Sequence, residues 1–296
     1  MRKIARILEI SSYPPPRAGW GVRVEFLKKK IRELGHECEV LNIGSSRKIK
    51  SPEYVDVQNG IDYVRKLVRF ASAGYVFHTH MNGDSPKGFI LTLLAELVNL
   101  IFGKRCFLTF HAGVNQIYFP KEKSKALIPM FKLIFTIPRY IICNSQPVKE
   151  KIIEYGVPGR KVIPIPAFTV QYLQHEEVSL PPELEEFLST HKPILFSYIR
   201  LREGFYIDVM LKALKLLTDK YPTIGLVITG VVKEEEHVEE EMKRLINDLE
   251  LSPHLFLIED MSHDEFRVMM KRSDIYLRTP ISDGVASSVL EALSFN

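Results

Sequence analysis

Cysteine is scarce: Cys38, Cys106 and Cys143 are the three in 296 residues. Their odd number and wide spacing argue against a disulfide framework and against a cysteine-based zinc site. Each sits in or beside an apolar run, which predicts reduced core thiols in a cytoplasmic protein. Charge of one sign is equally short, since 40 Lys and Arg against 36 Asp and Glu leave +4. Spread over such a length, that excess does not imply nucleic acid. No uninterrupted apolar run reaches the ~20 residues of a membrane span. The stretch 89–102 is broken by Glu96, and 126–142 by Lys132, Pro138 and Arg139. A secretion signal is also missing, because Arg6 divides the first apolar run and prolines follow it. With 46% apolar and 26% charged residues and no low-complexity tract, the composition predicts a folded protein.

A chain of this length exceeds the usual size of one domain, so two cores are expected. Short β-rich runs alternate with longer amphipathic ones, the pattern of parallel sheets covered by helices. Strands are predicted at Ala5–Ile10, Glu37–Leu41, Tyr75–His78, Cys106–Thr109, Tyr140–Cys143 and Val162–Pro164. Val24, Leu27, Ile31 and Leu34 recur at helical spacing, with Lys28, Lys29, Lys30, Arg32 and Glu33 on the other side and Gly35 as the stop. Periodicity then lapses from Phe168 to Lys192, around Pro181 and Pro182, and restarts as βα units at Ile194–Ile199, Gly225–Thr229, Leu255–Ile258 and Ile275–Arg278. Ser262 and Glu265 form a capping box for one of the later helices. The expected architecture is α/β with two Rossmann-like domains facing across a cleft. The first domain is placed at 1–170, a linker at 171–192 and the second domain at 193–296.

Two segments carry chemistry. The first, 13–21, ends in Ala18-Gly19-Trp20-Gly21 between the first strand and the first long helix. Glycines at 19 and 21 permit close backbone approach, and free N–H groups at a helix start favour phosphate. Alone, the segment reads equally as a structural turn. The second, Thr279-Pro-Ile-Ser-Asp-Gly-Val-Ala-Ser-Ser-Val-Leu-Glu291, follows a strand and opens a helix. Asp283 and Glu291 would stand roughly 10 Å apart along that helix, a span that fits a sugar diphosphate. Buried between apolar neighbours, Glu291 needs hydrogen-bond donors, which a ribose diol supplies; the competing reading leaves it in solvent on a surface helix. The chain has no Gly-x-Gly-x-x-Gly fingerprint, no Walker loop and no Asp-x-Asp pair, so the familiar diphosphate-bound Mg²⁺ or Mn²⁺ has no ligands and metal-free chemistry is expected.

In order along the chain, these pieces resemble the GT-B glycosyltransferases of family 4. The Asp283 to Glu291 stretch resembles that family's Glu-x7-Glu motif, with aspartate as the first acid and Gly284 beside it. Ala18-Gly19-Trp20-Gly21 resembles its Gly-Gly-x-Gly phosphate loop. Gly35-His36-Glu37-Cys38-Glu39-Val40 and Thr109-Phe110-His111-Ala112-Gly113 resemble its Gly-His-x-Val and Thr-x-His-Gly stretches. Asn144-Ser145 and Val162-Ile163-Pro164-Ile165-Pro166 match the end of its first domain. The resemblance implies that Glu291 holds the ribose, that Asp283 lies near the donor sugar and that His111 contacts the sugar; by itself His111 reads first as a structural histidine. It also implies an Arg and a Lys on the diphosphate at the second domain's first βα turn. Here Arg200 is kept, Glu203 stands where the lysine is expected, and Arg202 is the candidate substitute, unless these arginines only pair with acids such as Glu203. Ala18 and Ala167 depart from the family's usual glycine and asparagine. The family continues beyond the position of Asn296, so a truncated chain is expected.

The implied activity is transfer of a hexosyl group, with retention, from a nucleoside diphosphate sugar to a hydroxyl acceptor on a glycan or lipid-linked sugar. The nucleotide sugar is substrate, and no cofactor is expected. Two rivals remain: a nucleotide-sugar 2-epimerase and a non-catalytic nucleotide-sugar-binding protein. The basic segment 121–125 beside the apolar 126–137 suits peripheral contact with the inner membrane face, or else a helix covering the first sheet.

Overall fold

The computed structural model describes residues 4–15, 19–166, 173, 175–231, 235–280 and 286–295. The chain divides into two compact units, Met1–Ala167 and Phe168–Asn296.

In the first unit, β1 (Arg6–Ser11), β2 (Glu37–Asn42), β3 (Val76–Met81), β4 (Phe107–Phe110), β5 (Tyr140–Cys143) and β6 (Val162–Pro164) form one sheet in the order β2-β1-β3-β4-β5-β6. Every pairing is parallel, so each connection must cross over, and helices do so. These are α1 (Gly19–Glu33), α2 (Gly60–Ser72), α3 (Pro86–Ile101), α4 (Ile128–Thr136) and α5 (Gln146–Ile153). Right-handed crossovers put α1, which steps back to β2, on one face, and the helices stepping toward β6 on the other.

Side chains alternate across each strand. Leu8, Ile10 and Phe77 therefore join Tyr63 and Leu67 of α2 in the core of one face, and Phe110, Phe131, Phe135 and Ile141 extend that layer. Each fully buried phenylalanine contributes ~2–3 kcal/mol of apolar transfer. Glu9, His78 and His80 fall on the opposite face, toward α1, and all three are buried.

Helix α1 forms where its apolar spacing predicts, with Val24 fully buried, but Leu34, expected on the same face, lies past its end and is exposed. It stops at Gly35, whose φ of 80° lets its N–H reach the Arg32 carbonyl at 2.9 Å. Lys28 departs from the expected outer face. It is buried, with Nζ 2.9 Å from Glu53 Oε2.

In the second unit, α6 (Pro182–Thr190), β7 (Ile194–Tyr198), α7 (Ile207–Thr218), β8 (Gly225–Thr229), α8 (Glu236–Asp248), β9 (Leu255–Ile258), α9 (His263–Arg272), β10 (Ile275–Leu277) and α10 (Ser287–Leu293) follow in sequence. The parallel sheet has the order β10-β7-β8-β9. Leu211, Leu214 and Met242 of α7 and α8 pack with Leu226 and Ile228, while Leu184 and Met269 of α6 and α9 pack with Phe196 and Val227. The segment expected to be a linker thus contains α6, a helix built into the second core. The Ser262 and Glu265 capping box is present in both directions.

Candidate functional site

The first unit's candidate site grows from strand register. Glu9 of β1 pairs with His78 of β3, and His80 pairs with Thr109 of β4, so four polar side chains share one face of three central strands. His78 Nδ1 lies 2.9 Å from Glu9 Oε2 and its Nε2 lies 2.7 Å from Thr109 Oγ1. His80 Nε2 lies 2.7 Å from Glu9 Oε2, and His80 Nδ1 lies 2.9 Å from His111 Nε2.

His111 follows β4 directly, its backbone N–H donating to the Met81 carbonyl. Its ring stacks on His80 at 5.2 Å and on Trp20 of α1 at 5.0 Å. Burial opposes charge on Glu9, but the positive charge of His78 and hydrogen bonds from both histidines prevail and hold its carboxyl at about 2. Burial depresses His80 to about 4, with the charge of His78 adding to it. His111 is pushed well below the usual imidazole range by burial, with repulsion from a protonated His80 and from Arg23 adding to it.

His111 was legible in the sequence, whereas Glu9, His78 and His80 were missed. The available signal was His-x-His on one strand, two imidazoles on one face by the period of two. The three also offer ligand atoms within 4.8 Å of one another, a donor set unlike the Asp-x-Asp pair whose absence suggested metal-free chemistry. Gly19 and Gly21 lie in the first turn of α1. A Cβ on Gly21 would meet Pro14 Cδ at 3.3 Å and the Ser12 carbonyl at 3.6 Å, so the helix start passes close to the chain leaving β1.

In the second unit, the basic residues gather where the sheet's carboxyl ends emerge. Arg200 follows β7 and Arg278 follows the adjacent β10. The guanidinium groups of Arg202 and Arg278 stand over the Phe205 ring at 5.3 and 5.5 Å. Arg278 was not singled out from the sequence; its place directly after a strand is the signal. Glu203 is directed toward His237 Nε2, 3.4 Å away.

Glu291 lies inside α10 and is buried to 4% exposure, which removes the reading that left it in solvent. Its Oε2 has no hydrogen-bond partner among the described residues. Burial raises its carboxyl to about 7, against the opposing pull of Arg267. Arg267 of α9, itself buried, donates from Nη1 to the Glu291 carbonyl (3.0 Å) and to Ser294 Oγ (3.1 Å), tying down the end of α10. Asp283 and Gly284 lie outside the described residues.

Two α/β units built on parallel sheets give the chain the fold of the GT-B glycosyltransferases. Residues 184–296, most of the second unit, match the family described as "Glycosyl transferases group 1". An uncharacterized glycosyltransferase of Methanocaldococcus jannaschii is 26% identical over 179 residues, 58% of this chain and 42% of that protein. The chain thus spans less than half the length of that relative. Among solved structures, Anabaena HepE in complex with UDP-glucose superposes with a TM-score of 0.72 at 13% identity, over 98% of this chain and 78% of that one. A Listeria monocytogenes protein named as a UDP-N-acetylglucosamine 2-epimerase superposes with a TM-score of 0.61 at 15% identity, over 93% and 74%.

Proposed function

We propose that the protein is a retaining, metal-independent glycosyltransferase that moves a hexosyl group from a nucleoside diphosphate sugar to a hydroxyl of a glycan or lipid-linked sugar. The observation that carries this reading is Glu291. A carboxylate buried in the segment that matches the group 1 family, with one oxygen that has no partner among the described residues, is costly in the free protein. A ribose diol would supply its missing donors.

In the second unit, Arg200 and Arg202 neutralise the diphosphate, and Asp283 with Gly284 meets the donor sugar near that ribose. In the first unit, His111 orients the sugar, and Gly19 and Gly21 let backbone come close to phosphate at the start of α1. Stabilisation grows as negative charge develops on the departing diphosphate, which is where fixed guanidinium groups act most strongly. That phosphate then takes the acceptor hydroxyl's proton as the new glycosidic bond forms on the same face. The apolar side of 126–137, which suited membrane contact, instead covers the first sheet, with Phe131, Ile134 and Phe135 buried in its core; no helix among the described residues is long and apolar enough to cross a membrane.

The structural likeness to a protein named as a 2-epimerase supports a second reading, in which the donor is isomerised without an acceptor. Incubation with UDP- and GDP-sugars, with and without lipid-linked acceptors, separates the two. Acceptor-dependent nucleotide release, unaffected by chelator, is the expected result. Isomerised sugar without release would establish the epimerase instead, and neither product would refute both.

A further inference from the structure

The contacts around His111 determine where its proton sits. An ionised carboxylate only accepts hydrogen bonds. Glu9 Oε2 is 2.7 Å from His80 Nε2, so the N–H of His80 is on Nε2 and its Nδ1 carries a lone pair. That lone pair faces His111 Nε2 at 2.9 Å, so the contact requires the proton on His111 Nε2. The remaining nitrogen of His111, Nδ1, is then bare. His78 anchors the start of the series, presenting Nδ1–H to the same carboxylate and taking Thr109 Oγ1 at its other nitrogen.

We propose that Glu9 and His80 are positioning residues that lock His111 as its Nε2–H tautomer, making Nδ1 an acceptor that takes a sugar hydroxyl and turns away a phosphate oxygen. This specificity role rests on the reading in which His111 meets the donor sugar; the tautomer itself does not. The logic is that of a carboxylate fixing the tautomer of a working histidine, extended by one imidazole. Arg23 of α1 and the neighbouring histidines disfavour a second proton on His111, and the Trp20 ring covers one side of the imidazole. With His111 neutral, its acceptor nitrogen repels anionic oxygens.

The test is 15N NMR of the full chain labelled at histidine, without ligand, since protonated and bare imidazole nitrogens resonate far apart. The expected spectrum at neutral pH shows His111 with Nε2 protonated and Nδ1 bare. In Glu9→Gln the carboxamide offers both a donor and an acceptor, and in His80→Gln the imidazole link is cut, so His111 should become a mixture of tautomers in both. A His111 that carries its proton on Nδ1, titrates near the usual imidazole pKa, or keeps its tautomer in both variants would overturn the proposal. So would stoichiometric zinc ligated by His80 Nε2, because that requires the opposite proton placement. The wild-type spectrum decides the tautomer even where a variant fails to fold. In the donor assay, Glu9→Gln should lower kcat/KM at least tenfold while UDP affinity stays within twofold. Absence of any turnover in the wild type would refute the proposed function and leave the spectrum to decide the tautomer.

Discussion

Glu291 shows how one side chain joins stability to binding. Its folded carboxyl is raised from 4.5 to about 7 by burial, so the folded state holds the proton more tightly than the unfolded chain. Its protonated form is compatible with the fold, and stability is lost as pH rises from about 4.5 through 7. The loss amounts to roughly 3 kcal/mol when complete, at 1.36 kcal/mol per pKa unit. Glu291→Gln is therefore expected to be more stable than the wild type at pH 8 without ligand, as read by urea unfolding. Equal stability at that pH would mean that the carboxylate is solvated. Arg202 makes a second test, since its guanidinium stands over Phe205 and is assigned to the diphosphate. A charge-assisted hydrogen bond contributes ~1.5–3 kcal/mol, so Arg202→Ala should weaken UDP binding by roughly tenfold to a hundredfold in calorimetry. Unchanged affinity would remove Arg202 from the site.

At the scale of elements, α10 depends on α9. Arg267 reaches across to the Glu291 carbonyl and Ser294 Oγ and stacks 4.1 Å over the Phe295 ring. Arg267→Met keeps much of the volume and loses these bonds, and should lower stability by about 2–4 kcal/mol; a change in urea midpoint too small for 1 kcal/mol would show that α10 is held by other contacts. The sequence made the βα units of the second half legible because their strands are uniformly apolar, and it located the capping box of α9 because that motif is local. It was less informative where polar residues occupy core positions. β3 was expected to end at His78, yet it runs to Met81, because His80 is buried as a partner of Glu9, which lies on a distant part of the chain. The same long-range pairing hid Glu9 among Ile7, Leu8 and Ile10 of β1. Helix α6 was concealed by Pro181, Pro182 and a run of glutamates, although Leu180, Leu184 and Phe187 already had the spacing of a buried face. Helix α1 starts at Gly19, two residues before the Gly21 from which the apolar spacing runs, because two glycines are poor helix formers and hide the first turn.

Over the whole molecule, the polar centres respond to pH in opposite directions. In the first unit Glu9 is depressed from 4.5 to about 2 and His80 from 6.5 to about 4. A depressed folded pKa means that stability is present above the unfolded value and is lost as pH falls, so the first unit should weaken progressively from about pH 6.5 toward 2. The single tryptophan, Trp20, stacks on His111, so its fluorescence reports that unit's acid transition. Glu9→Gln should shift the transition and flatten its approach, and an acid limb identical to the wild type would mean that Glu9 is not ionised in the fold. The second unit weakens in the alkaline direction through Glu291, so the two limbs overlap between about pH 4.5 and 6.5, where they oppose one another. Nucleotide-sugar binding should relieve the alkaline loss by giving Glu291 hydrogen-bond donors. Calorimetric titration of a set of UDP- and GDP-sugars at pH 8 into the wild type and Glu291→Gln compares these states directly. Wild type should bind at least one of them measurably, and a folded Glu291→Gln at least thirtyfold more weakly. Equal affinity in the two proteins, or no binding of any UDP- or GDP-sugar by the wild type, would contradict it.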